Sequence, residues 1–139
     1  MSNVFFCSEE TTFVLSDQSK YVDWIFNLIA DNDFECGDVS FIFCSDTYLL
    51  DLNKKHLGHN YYTDVITFDY TQEHNVSGDI FISVDRVGDN AKEFHCSFAE
   101  ELRRVMAHGV LHLMGFDDKD PEAQGAMRRG ENQALTMFK

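Results

Sequence analysis

Apolar residues recur along this chain with two periods, and the switches between them mark its elements. Tyr21, Trp24, Ile25 and Leu28 follow the i, i+3, i+4, i+7 spacing of an amphipathic helix over Lys20–Ala30, with Asp17 placed to cap it and Asp31-Asn32-Asp33 to end it. Ahead of it Val4–Cys7 reads as a short strand, and Val39–Cys44 (VSFIFC) is a nearly continuous apolar run suited to an interior strand. Asp46 is placed to cap a helix carrying Leu49, Leu50, Leu52 and Asn53, which ends near Gly58. Val65–Tyr70 and Asp79–Val84 alternate as strands do, and the polar segment Thr71–Gly78 between them predicts antiparallel neighbours. Asp85 then opens a helix toward Phe94.

The longest helix follows. Ser97 and Glu100 have capping-box spacing at the head of an apolar-periodic segment running through Met114, with Leu102, Val105 and Met106 on its core face and Gly115 as its stop. Asp120-Pro121-Glu122 starts a last helix, with proline in its first turn and acidic residues near its positive end. The element order predicts an α+β fold, a small central mixed sheet of about four strands flanked by helices.

Composition narrows the class. The 139 residues suit one domain over 1–139, without linker or repeat, and large enough to bury a core without disulfides. No apolar run approaches the ~18 residues of a membrane span and no signal peptide is recognisable, so a soluble cytoplasmic protein is expected. Cys7, Cys36, Cys44 and Cys96 are scattered without a C-x-x-C and are expected as buried small hydrophobes. The net charge of −13 argues against a protein that coats nucleic acid through its overall field. The imbalance is uneven, −8 over residues 1–50 and −5 over the rest. The basic pairs Lys54-Lys55, Arg103-Arg104 and Arg128-Arg129 all fall in that later part. A polyanion would bind there, although solvated helix faces look the same in sequence.

The chemistry concentrates in His108-Gly109-Val110-Leu111-His112-Leu113-Met114-Gly115-Phe116-Asp117-Asp118. Two histidines at i, i+4 on a helix project from one face a turn apart, close enough to share a metal ion. Gly115 lets the chain double back, so that Asp118 or Asp117 can add a third ligand and leave a position open. The spacing also approaches that of metzincin proteases, but the residue after the first histidine is Gly109, not the glutamate base that peptide hydrolysis requires.

H-G-V-L-H-L-M-G-F-D resembles the signature of the YbeY family, metal-dependent endoribonucleases of bacterial rRNA maturation. Leu52-Asn53, Thr63-Asp64-Val65-Ile66-Thr67-Phe68, Gly78-Asp79-Ile80 and the later Glu122, Met127 and Glu131 extend the likeness over roughly residues 35–135. The resemblance implies a metal site at the end of a core helix, with His108, His112 and Asp118 as ligands of one Zn²⁺ and His108 and His112 as catalytic residues. It also implies an rRNA precursor as substrate, with the small ribosomal subunit or assembly factors as partners and no membrane. Asp118 stands where the family usually has a third histidine, which lowers the charge of a divalent site from about +2 to about +1. A family arginine that contacts RNA aligns with Leu57. Phosphate contact is therefore expected from Lys54, Lys55, His56 or His59, and from Arg103 or Arg104 unless these pair with Glu100. Asp64 either fixes a loop or lines the cleft, and Asp79 either serves a turn or supports a ligand imidazole. A ribosome-assembly factor with a structural metal, or a metallohydrolase of another substrate, are the alternatives.

Overall fold

A computed structural model describes residues 3–139. The chain runs β1 (Val4–Glu9), α1 (Gln18–Asp31), β2 (Glu35–Cys44), α2 (Asp46–Leu52), a π-helical turn (Asn53–Leu57), β3 (Val65–Asp69), β4 (Asn75–Ser83), α3 (Val84–Glu93), α4 (Phe98–Leu113) and α5 (Pro121–Met137). The strands form one mixed sheet in the order β1-β2-β4-β3. β1 and β4 lie parallel to β2, and β3 pairs antiparallel with β4 with Phe68 opposite Asp79. The expected α+β architecture stands.

Alternation along the strands divides the apolar residues between two faces. Phe41, Phe43, Ile80 and Ile82 meet Trp24, Ile25 and Leu28 of α1 and Leu102, Val105 and Met106 of α4 in the main core. Cys44, Leu49 and Ile66, with Phe68 and Phe81, pack in a smaller cluster on α2. α4 buries residues around most of its circumference, from Leu102 through Leu113. Such a helix has little freedom to shift, so the two histidines on its remaining half-exposed stripe are held firmly.

Several boundaries differ from the sequence expectation. Asp17 has left-handed backbone (φ 56°) and its side chain caps nothing. The caps of α2 and α3 are Ser45 and Ser83, one residue before Asp46 and two before Asp85, and their hydroxyls accept from Tyr48 N–H and Arg86 N–H. Asp46 and Asp85 instead bridge the two helix starts: Asp85 Oδ2 accepts from Asp46 N–H at 2.8 Å, and Asp46 Oδ1 accepts from Arg86 Nε at 3.1 Å. β1 continues two residues past Cys7 to Glu9, because the backbone keeps pairing with β2 through Cys44. β4 begins at Asn75, inside the supposed polar connection, because its backbone already pairs with β2 at Asn75 and Val76. Val84 leaves the strand for α3.

All four cysteines are free, but only Cys44 is buried. There burial and nearby carboxylates push the thiol up to about 12. Cys7 is exposed, on the edge strand β1.

α4 approaches β4 closely at Gly109. A Cβ there would stand 2.7 Å from Ile80 Cγ2, so the position where metzincins carry their base has no room for a side chain. Gly109→Ala is expected to destabilise the fold by about 1–3 kcal/mol through overpacking, measured by urea unfolding.

Candidate metal centre

The site is assembled where α4 stops. Gly115 adopts φ 97°, and Gly115 N–H and Phe116 N–H donate back to the His112 and Leu111 carbonyls, each at 3.0 Å. This paired closure requires a left-handed residue, which glycine supplies without strain. It carries the chain past the helix end, so that Phe116 C=O faces His112 and Asp118 faces both rings. Asp117 is spent locally, its Oδ1 accepting from Lys119 N–H at 3.2 Å. Of the two acids left open by the sequence, Asp118 is the one that joins the histidines.

One ligand atom from each of His108, His112 and Asp118 lies within 4.8 Å of the others. The two Nε2 atoms are 3.0 Å apart, and Asp118 Oδ2 is 3.7 Å from one and 3.8 Å from the other. Donors around a tetrahedral ion with bonds of about 2.0–2.1 Å stand about 3.3 Å apart, so the spread suits a single small cation.

The tautomers support the same fit. A carbonyl only accepts, so His112 Nδ1, 3.0 Å from Phe116 O, carries a proton. His108 Nδ1, 2.7 Å from Glu131 Oε2, likewise donates to an ionised carboxylate. In their neutral forms both rings therefore turn bare Nε2 lone pairs toward each other, an arrangement that needs a shared proton or a cation between them. Burial works against charge on His108, but the Glu131 hydrogen bond and the charges of Glu131, Asp64 and Asp118 push it up. Burial and the neighbouring His108 push His112 down. Burial acts to raise Glu131 as well, yet hydrogen bonds from His108 and Arg104 outweigh it and hold that carboxyl below its ordinary value.

His108 and Asp118 line a cleft of about 310 Å³ between α3, α4, α5 and the start of β3. Asp64 lines it while its carboxylate also accepts from the Asp64 and Val65 backbone, and its Oδ2 accepts from Asn90 Nδ2 at 3.4 Å. Burial pushes the Asp64 carboxyl up. Arg104 lines it too and pairs with Glu131 at 3.0 Å and with Asn132 at 3.0 Å, rather than with Glu100, because its side chain faces α5. Arg103 lies elsewhere, with its guanidinium 4.4 Å over the Phe138 ring. Lys54, Lys55 and His56 sit on the π-helical turn, and His59 Nδ1 lies 3.0 Å from Tyr61 OH in the following loop. None of these four lines the cleft among the described residues. Asp79 accepts from Tyr70 OH at 3.3 Å on the sheet and supports neither imidazole.

Those supports are Glu131 and the Phe116 carbonyl, and sequence reasoning assigned a role to neither. Glu131 had a signal, since it lies between Met127 and Ala134 on the buried stripe of α5. A carboxylate on an apolar stripe needs a buried partner. Glu101 is likewise buried on α4, at 4% exposed, but among the described residues no hydrogen bond or ion pair reaches its carboxylate.

Two imidazoles from one helix and a carboxylate from the turn beyond it form a group that can hold a metal ion, beside a cleft against a mixed sheet. The family model described as endoribonuclease YbeY matches residues 6–139, and the chain belongs to that family. It is 45% identical over 129 residues to the endoribonuclease YbeY of Flavobacterium johnsoniae, covering 93% of each chain. To that of Cytophaga hutchinsonii it is 41% identical over 137 residues, covering 98% of this chain and 96% of the relative. The solution structure of TM1509 from Thermotoga maritima has the same fold, with a TM-score of 0.68 at 24% identity over 97% of this chain and 88% of that one. Among the described residues, no helix is long and apolar enough to cross a membrane.

Proposed function

We propose that the chain is a divalent-metal-dependent endoribonuclease, with zinc as its ion, that cuts single-stranded segments of rRNA precursors in the cytoplasm during ribosome maturation. The observation that carries this reading is the convergence of His108 Nε2, His112 Nε2 and Asp118 Oδ2 beside an open cleft, in a chain whose relatives bear the name endoribonuclease. Bound by those three residues, a divalent ion supplies Lewis-acid polarisation of the phosphoryl group.

The chain's own residues prepare that chemistry. Glu131 and Phe116 C=O hold the protons of His108 and His112 on Nδ1 and so keep both Nε2 atoms free for ligation. Arg104, fixed by Glu131 and Asn132, brings positive charge to a cleft in an otherwise acidic molecule and suits a phosphate. The net charge of −13 and the exposed Leu57 favour one alternative, a ribosome-assembly role in which the ion mainly fixes the site.

Incubating the protein with a single-stranded rRNA fragment, before and after chelation, separates the two. Cleavage that stops on chelation and returns with zinc is expected. Cleavage that persists unchanged in metal-free protein contradicts the metal role, and absence of cleavage by zinc-loaded protein favours the assembly role. Asp118→Asn removes the only anionic ligand from a half-exposed position. It is expected to weaken zinc binding by about tenfold or more without altering thermal stability, as read by competition with a chromogenic chelator.

A further inference from the structure

The cleft beside the histidines has a second wall that ligation does not use. Glu101, two helical turns before His108 on α4, lines it and is 4% exposed, yet no hydrogen bond or ion pair reaches its carboxylate among the described residues. No fully buried side-chain oxygen lacks a partner among those residues. The Glu101 oxygens are therefore not fully buried. Phe94, at the end of α3, lines the same cleft, is 59% exposed and, among the described residues, stacks on no other ring. A second opening of about 320 Å³ is also lined by Phe94, Glu101, Arg104 and Arg128. An unpartnered aromatic face, an unpartnered carboxylate edge and two guanidinium groups thus border one space, about 10 Å along α4 from His108.

We propose that Phe94 and Glu101 form a nucleobase subsite that selects guanine in the nucleotide flanking the scissile phosphate. This deepens the ribonuclease reading and rests on it. An aromatic ring open to solvent stacks a single-stranded base irrespective of sequence. The carboxylate adds selection, because it accepts two hydrogen bonds side by side. Guanine offers two adjacent donors, N1–H and the 2-amino group. Adenine and cytosine place a lone pair beside their amino group, and uracil flanks its single N–H with two carbonyls, so each sets an acceptor against the carboxylate. Arg104 and Arg128 balance the phosphate charge. Burial pushes the Glu101 carboxyl up, and the charge of Asp64 adds to this while those of Arg104 and Arg128 oppose it.

The test titrates the chelator-treated full chain with the 5′-monophosphates of guanosine, adenosine, cytidine and uridine, followed by amide NMR shifts. Guanosine monophosphate is expected to bind about tenfold or more tighter than the others, with shifts centred on Phe94 and Glu101. Glu101→Gln is expected to abolish that preference. Phe94→Ala, a change at an exposed position, should weaken all four by about fivefold or more and keep their order. Equal binding of the four nucleotides, or an undiminished preference in Glu101→Gln, overturns the subsite. If Glu101→Gln does not fold, the wild-type series and Phe94→Ala still decide. Zinc-dependent RNA cleavage without guanine preference removes the subsite and leaves the ribonuclease reading intact. Guanine-selective binding without cleavage does the reverse.

Discussion

Replacing His112 with alanine is expected to abolish zinc retention and to lower RNA cleavage by about 10³-fold, with the far-ultraviolet circular dichroism unchanged. The magnitude follows from what the ion contributes to a phosphoryl transition state, several kcal/mol at about 1.4 kcal/mol per tenfold. The structural cost is far smaller. The His112 side chain is 25% exposed, and the substitution removes one neutral hydrogen bond, to Phe116 C=O. Such a bond contributes about 1 kcal/mol against a total stability of about 5–15 kcal/mol. Gly115 and Phe116 keep their backbone bonds to α4, so the turn survives. Cleavage by His112→Ala equal to wild type would mean that the activity comes from elsewhere.

Glu131→Gln should produce the second large effect, and of a different kind. The carboxylate accepts from His108 Nδ1–H through one oxygen and from Arg104 through the other, and its side chain is 8% exposed. Glutamine keeps the shape but offers one acceptor oxygen, and its amide nitrogen meets either the imidazole N–H or the guanidinium. A donor is then set against a donor. Loss of such support to a ligating imidazole costs about 10–100-fold in metal affinity. Breaking a buried ion pair on one side adds about 3–5 kcal/mol of instability, reduced here because Arg104 is 21% exposed and keeps Asn132. If Glu131 served only the fold, stability would fall and zinc affinity would not. The two are read separately, by urea unfolding of metal-free protein and by chelator competition.

What the sequence made legible was local. The i, i+4 histidines, the glycine stop and the acid beyond lie within eleven consecutive residues, and helical geometry fixes their relation. The helices and strands were legible for the same reason, since period alone distinguishes them. The helix caps fall one residue before Asp46 and two before Asp85, because serine and aspartate both cap well and only tertiary pairing shows that Arg86 and Asp46 N–H engage the acids. The order β1-β2-β4-β3 depends on which strands meet in space, and no local pattern encodes it. The same holds for Glu131, 23 residues from the imidazole it orients. Its burial on the stripe of Met127 and Ala134 marks it as unusual without naming its partner. The cleft wall of Phe94 and Glu101 joins two helices and was hidden for that reason.

X-ray absorption at the zinc edge, on protein reconstituted with one equivalent of zinc, tests the central claim most directly. One tightly held ion with two imidazole nitrogens and one carboxylate oxygen at about 2.0–2.2 Å, reduced to one imidazole in His108→Ala, is the expected result. A stripped protein that takes up no zinc, or an ion ligated by cysteine sulfur with the same spectrum in His108→Ala, would contradict it.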